Sequence, residues 1–184
     1  MEVMAGFIVG FDNDPIDIFK RQIDFIRESA IPLAMVGMLN ALPDTQLWRR
    51  LEREGRLLGE DATGNNTIST LNFIPKMDVD TLVNGYQEIM KTIYKPRAYY
   101  ERALDSLRRT HHDTPEPTPY NLLQEVKALV RLLLKLGVID AERKEFWRFF
   151  IQAVRKHHDR MTESLRLAAM GYHFRKLNEL YDTE

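Results

Sequence analysis

The sequence contains no cysteine and carries a net charge of only −1. None of its apolar runs reaches the roughly 18 residues that mark a membrane-spanning helix. Each of these lacks excludes something. Without cysteine the chain can form no disulfide, present no thiolate nucleophile or Cys-ligated zinc site, and supply no ligand to an iron–sulfur cluster. With 26 basic against 27 acidic side chains it lacks the broad positive footprint of a protein that grips phosphates, so nucleic acid is not an expected partner. The first residues, Met1 to Phe11, place no basic leader before their apolar run and are followed by Asp12, Asn13 and Asp14. That start reads as a cytoplasmic segment, in which the Asn65-Asn66-Thr67 acceptor pattern has no use.

What is present suffices for a packed core. A chain of 184 residues, 44% of them apolar, fits one domain or two small ones. Residues 3–11 form a short apolar run with glycines at 6 and 10, and Asp14-Pro15 reads as a helix cap followed by proline at the first helical position. Ile16, Phe19, Ile23 and Ile26 recur at helical spacing, predicting a helix over 15–29 with one buried face. The run Leu33 to Leu39 is short and lacks polar alternation, as in a buried parallel strand. Pro43-Asp44-Thr45 caps a further helix that carries Leu47, Trp48 and Leu51 and stops at Gly55.

Residues 59–77, rich in Gly, Asn and Thr, form a long connection with room for a brief strand at Ile68 to Ile74. Beyond Asp78 the period is helical. Val79, Leu82, Val83, Tyr86, Ile89, Met90 and Ile93 trace one face, and Pro96 opens a helix presenting Tyr99, Tyr100, Ala103, Leu104 and Leu107. A proline-bearing linker at His111 to Pro119 precedes a strongly apolar helix, Tyr120 to Leu136, expected to be central and to end at Gly137 in the left-handed conformation. Asp140 then caps a helix through Phe146, Phe149, Phe150, Ala153 and Val154, and a last helix runs through Met161, Leu165, Ala168 and Tyr172, with a break near His158-Asp159. The expected division is 1–58 as an α/β segment, 59–77 as connection and 78–184 as a mainly α domain.

The chemistry-bearing pattern is the segment Gly6-Phe7-Ile8-Val9-Gly10-Phe11-Asp12-Asn13-Asp14. Glycine at a strand end lets backbone approach a ligand, and the amides after it can receive an anion; the same glycines also serve a plain strand-to-helix turn. The second pattern is Leu39-Asn40-Ala41-Leu42-Pro43-Asp44-Thr45-Gln46-Leu47-Trp48, with the polar Asn40 at the end of the second strand.

On these two segments, residues 4–55 resemble the last two strand-helix units of the radical S-adenosylmethionine barrel. The whole chain is similar to the C-terminal part of the subgroup that has a cobalamin-binding domain ahead of that barrel and a helical extension after it. The fold this implies is α/β followed by mainly α: two terminal units of a partial barrel plus the extension. In such enzymes a Gly-x-Ile-x-Gly strand passes the adenine of the cofactor, so the resemblance carries that contact to Ile8 and Gly10, with Asn40 bordering the same place. The family's acidic position falls on Asp14 or Asn13, depending on the variant, and Asp44 stands where its Pro-Gly-Thr turn has glycine. The cluster-binding Cys-x-x-x-Cys-x-x-Cys segment has no counterpart in this chain.

The resemblance therefore implies a parent using S-adenosylmethionine, a 4Fe-4S cluster and possible cobalamin, and a fragment that is inactive and holds no cofactor by itself. The implied partner is the missing N-terminal barrel portion, or a second copy through an exposed strand edge; no membrane partner is expected. The rival reading is a non-catalytic helical interaction module. No residue is assigned a catalytic role.

Other constellations are weaker. Asn65, Asn66, Asn72 and Lys76 would join a substrate pocket only if the long connection folded over the strand ends, and no acid–base pair emerges from them. His111-His112-Asp113 and His157-His158-Asp159 have the donor types of a metal site, but adjacent residues on a helix point about 100° apart and do not converge. Arg97, Arg102, Arg108 and Arg109, with their neighbouring tyrosines, read as the charged exterior of a helical core.

Overall fold

The computed structural model describes residues 3–58, 71–110 and 122–181. The chain separates into two compact units. One comprises Ala5–Ile26 and Ala34–Thr92, and the other Met1–Met4, Arg27–Leu33 and Ile93–Glu184. In chain order the elements are β1 (Met4–Val9), α1 (Ile18–Glu28), β2 (Leu33–Met38), α2 (Gln46–Arg53), α3 (Val79–Ile93), α4 (Pro96–Arg109), α5 (Leu122–Leu134), α6 (Arg143–Lys156) and α7 (Met161–Tyr181).

The first unit is built on a two-stranded sheet, β1 beside β2. Leu39 N donates to Val9 O at 2.8 Å, so the carboxyl ends of the strands lie together and the strands run parallel across the α1 crossover. β2 is buried except at Met35, whereas Met4 and Ile8 of β1 are exposed. Phe19 and Ile26 of α1 are buried, and Phe25 makes an edge contact with Phe7 at 5.9 Å between ring centroids. The helix starts later than its sequence implies: Ile16 lies outside it and is 79% exposed.

The described residues do not form the partial barrel expected from the resemblance. Among them no third parallel strand follows α2; Leu57 pairs with Phe73 in an isolated antiparallel bridge, and the next described element is a helix. A barrel needs parallel strands of consistent tilt and stagger repeated around its circumference. Among the described residues there is only a small open sheet followed by helices. Of the brief strand expected at Ile68 to Ile74, the described part holds the bridge at Phe73; residues 68–70, with Asn65 and Asn66, lie outside the described residues.

Local signals explain α2 well. Thr45 Oγ1 accepts from Trp48 N at 3.2 Å, closing the first turn. At the other end Arg56 N donates to Leu51 O and Gly55 N to Glu52 O, with Gly55 at φ +66°: the paired bonds of a glycine-terminated helix. Asp44, where the resembled turn has glycine, takes φ +64°. Leu51 packs with Leu39, Ala41 and Phe73 in a buried cluster that Leu47, Trp48 and Leu57 flank. α3 buries Leu82, Tyr86, Ile89 and Met90. Its Gly85 lies under the Phe19 ring, which a Cβ would meet at 2.5 Å.

In the second unit, α4 turns Tyr99, Tyr100, Ala103 and Leu107 inward. Tyr100 stacks on Phe149 of α6 at 4.8 Å, and Tyr94 on Phe174 of α7 at 5.0 Å. Tyr99 crosses α7 at Gly171 and donates its hydroxyl to Leu167 O at 2.6 Å. Arg102 is not exterior. It is 4% exposed, and donates to Ile31 O and Pro32 O while its guanidinium sits 5.5 Å from the Tyr99 ring centre. Burial lowers its pKa from the ordinary arginine value.

Arg160, also 4% exposed, donates to Thr110 O, Thr110 Oγ1, Leu107 O and the Glu163 carboxylate. It lies in the short 3₁₀ turn His158–Arg160, which makes the expected break between α6 and α7. Two expectations fail at α5. Leu129, Val130 and Leu134 are exposed, so the described part of that apolar helix is peripheral. Gly137 lies inside a π-helical turn, Lys135–Ile139, without positive φ. Its missing side chain admits Trp147, whose indole Nε1 donates to Gly137 O at 2.9 Å and whose Cζ2 would stand 2.9 Å from a Cβ.

Candidate functional site

The parallel sheet brings Gly10 and Asn40, the residues that follow β1 and β2, to one mouth of the first unit. Parallel α/β sheets present ligands at such carboxyl ends. Gly10 has φ +102°, and a Cβ there would lie 3.2 Å from Leu82 Cδ2. The positive φ favours glycine, and a Cβ would also press on the end of the Leu82 side chain.

Asp14 does not cap α1. Its Oδ2 reaches back and accepts from Gly10 N at 2.8 Å and Phe11 N at 3.0 Å, while Asp14 N donates to Phe11 O at 3.0 Å. The amides that the sequence offers to an external anion are thus taken by an internal carboxylate. Ile8 is 38% exposed, with its carbonyl accepting from Gln22 Nε2 at 3.0 Å. Asn40 is half-buried.

Asn72 is no pocket residue. It is 7% exposed, and its side-chain amide makes both bonds to the backbone of Ala41: Oδ1 accepts from Ala41 N at 3.0 Å and Nδ2 donates to Ala41 O at 2.7 Å. This pairing fixes the chain just after Asn40. Lys76 is exposed.

The charged feature of the mouth was not legible as a motif. Asp12 is 8% exposed at its side chain and accepts from Arg56 Nη2 at 2.7 Å, Arg56 Nη1 at 3.0 Å and Arg50 Nη2 at 2.8 Å. The Arg56 hydrogen bonds hold its carboxyl below the ordinary range against the opposing effect of burial. Arg56 in turn sits well above the ordinary arginine value, chiefly through its bond to Asp12. Arg56 also donates to Glu54 Oε2 and Ile74 O, both at 2.8 Å. The helix-ending turn at Gly55 sets its backbone, and the reach to Asp12 spans 44 positions of sequence.

Beside this clamp lies a cleft of about 530 Å³ lined by Phe11, Gln46, Leu47, Arg49, Arg50 and Arg53. Among the described residues no group of three or more His, Cys, Asp or Glu side chains is placed to hold a metal ion. His111, His112 and Asp113 lie outside the described residues, and His157 serves as the C-cap of α6, its pKa lowered first by burial and then by Arg160. No helix among them is long and apolar enough to cross a membrane.

The family match covers the chain from α2 onward. Residues 45–184 match the family described as Domain of unknown function (DUF4070), and the chain belongs to it. It is 33% identical over 184 residues to a protein of Synechocystis sp. named an uncharacterized methyltransferase, a match spanning 98% of this chain and 34% of that protein. It is 31% identical over 158 residues to the Hopanoid C-2 methylase of Rhodopseudomonas palustris, covering 83% of this chain and 29% of that protein. The chain thus spans about a third of the length of these relatives. No solved structure matches.

These findings correct the resemblance. The relatives are named for methyl transfer, and the reading as a radical S-adenosylmethionine fragment of the subgroup with a cobalamin-binding domain is withdrawn. The 4Fe-4S cluster and cobalamin inferred for a parent have no support in the relatives' names or in the described donor groups. The reading as an inactive radical-enzyme fragment is withdrawn, since the relatives are named for methyl transfer. The partner inferred from the resemblance, a cysteine-bearing N-terminal barrel, is withdrawn.

Proposed function

We propose that the chain is a segment of a methyltransferase that takes its methyl group from S-adenosylmethionine, with the carboxyl ends of β1 and β2 bordering the bound donor. The match of 98% of the chain to a protein named a methyltransferase carries this reading. Ile8 and Asn40 are the side chains suited to the contact: the first is an exposed apolar wall, the second a half-buried amide with donor and acceptor atoms. Gly10 contributes by its shape, keeping the strand end free of a side chain that would collide with Leu82.

The fit has a definite limit. Because Asp14 occupies the amides of Gly10 and Phe11, these do not receive the donor's carboxylate. The donor supplies an electrophilic methyl on a sulfonium; this chain's share is to shape and orient, through Ile8 and Asn40, and no proton transfer is assigned to it. The cysteine-free sequence needs no oxidising compartment, which supports a cytoplasmic setting.

The test is donor binding by the protein that carries this chain, read with methyl-labelled S-adenosylmethionine. Ile8→Asp and Asn40→Ala are expected to weaken binding about tenfold each, a difference of about 1.4 kcal/mol, while the exposed-surface change Lys20→Ala leaves it unchanged. Equal binding by all four proteins overturns the reading.

A further inference from the structure

The cleft beside β1 has a charge its surroundings do not cancel. Of its three arginines, Arg50 is committed to Asp12 and lies 3.9 Å from Glu54. Asp12 is also saturated by Arg56. The group of Asp12, Glu54, Arg50 and Arg56 is therefore neutral within itself. Arg49 and Arg53 stand one helical turn apart, both line the cleft, and neither enters an ion pair among the described residues. Like charges at this spacing destabilise a helix. An anion received between them removes that repulsion.

The apolar wall of the same cleft is held in place. Phe11 is 45% exposed, yet its backbone is fixed on both sides: its amide donates to Asp14 Oδ2 at 3.0 Å and its carbonyl accepts from Asp14 N at 3.0 Å. An aromatic ring left in water on a braced turn, with Leu47 opposite in the lining, offers a stacking face that costs little to order on binding. The volume, about 530 Å³, lies within the range of small-molecule sites.

We infer that this cleft binds a planar aromatic or heteroaromatic molecule bearing a phosphate or carboxylate, the ring on Phe11 and the anion on Arg49 and Arg53. Taken with the methyltransferase reading, on which this step rests, that molecule is the class of methyl acceptor. Gln46 adds a neutral amide to the lining, while Arg50 is neutralised by Asp12.

The probes are phenyl phosphate, benzoate, inorganic phosphate and phenol, titrated into the 184-residue chain by calorimetry. Phenyl phosphate or benzoate is expected to bind at least about tenfold more tightly than either inorganic phosphate or phenol, and which of the two leads identifies the anion. The double change Arg49→Ala with Arg53→Ala should weaken the leading probe at least about tenfold, and Phe11→Ala should reduce it to the level of the free anion. If the double variant fails to fold by circular dichroism, Arg53→Gln alone and the loss of wild-type binding in 1 M salt replace it.

Binding no tighter than that of the free anion, or binding indifferent to the arginines and to salt, overturns the inference. Donor binding is measured separately. Its loss with anion binding intact overturns the methyl-transfer reading and leaves the cleft as an anion site, whereas the reverse result removes the cleft alone.

Discussion

Arg56 in the sheet unit and Arg102 in the helical unit are held in opposite ways. In the sheet unit, Arg56 meets a carboxylate, Asp12, in a bidentate pair at 2.7 and 3.0 Å beside an open cleft. In the helical unit, Arg102 meets backbone carbonyls, those of Ile31 and Pro32, under the Tyr99 ring. Carbonyl acceptors do not titrate, so the hold on Arg102 is indifferent to acid, while the hold on Arg56 depends on an ionised carboxylate. The site belongs to the unit whose clamp responds to its surroundings. The other unit supplies tightly interlocked aromatic packing, with Tyr99, Tyr100, Phe146 and Phe149 all buried.

The comparison can be broken most severely at Arg160. Arg160→Met strands Glu163, Thr110 O and Leu107 O at the junction of α4 and α7, and is expected to cost about 4 kcal/mol in chemical denaturation, since removal of one buried partner leaves the others unpaired. A cost below about 1 kcal/mol would show that water readily replaces the guanidinium.

The glycines set the two units side by side. A Cβ on Gly171 would fall 2.1 Å from Tyr99 Cε1, and one on Gly85 would fall 2.5 Å from three atoms of the Phe19 ring. Gly171→Ala is expected to cost about 3 kcal/mol, because Tyr99 is also tied by its hydroxyl to Leu167 O, and Gly85→Ala about 2 kcal/mol, because no hydrogen bond restrains the phenyl ring. Reversal of that order in thermal unfolding would mean that the hydroxyl bond does not hold the ring.

The smallest effect is the acid response. Asp12 has a folded-state pKa below the ordinary 3.8, so its stabilisation is complete above that value and is withdrawn as the pH falls through the folded pKa. Hydrogen exchange at residues 10–14 and 56 should accelerate as the pH is lowered below about 4, after correction for intrinsic exchange rates, while exchange around Arg102 keeps its protection. Asp12→Asn should abolish the pH dependence at the clamp; its persistence in the variant would assign the acid response to another group.

Much of the local structure was written in short-range signals. Thr45 and Gly55 bound α2 as their residue types require, and Pro96 opens α4 at its first position. The buried faces of α3 and α4 follow the apolar period except at Val79, which is exposed, and at Arg102, which is buried. The errors came where one residue type serves two local purposes. Asp14 precedes a proline, as a helix cap does, but closes the turn behind it instead. Gly137 follows an apolar run, as a terminating glycine does, but makes room for Trp147. Asn72, read as a residue of the long connection, is a clamp on Ala41, a pairing across 31 positions that no local pattern discloses.

The candidate site divides along the same line. Gly10 and Asn40 are visible in the sequence because strand ends and glycine are local features. The cleft is not, since Phe11 and the arginines of α2 are brought together only when β1 and α2 pack in one unit. The sequence by itself determined the absence of thiol chemistry, the helix limits set by capping residues and most apolar faces, because each depends on residues within a few positions of one another. Only the tertiary structure decided that two strands remain an open sheet, that Asp12 is held by Arg56 and that Arg102 is buried. Those outcomes depend on which distant groups come into hydrogen-bonding distance, and on the cost of leaving any of them buried without a partner.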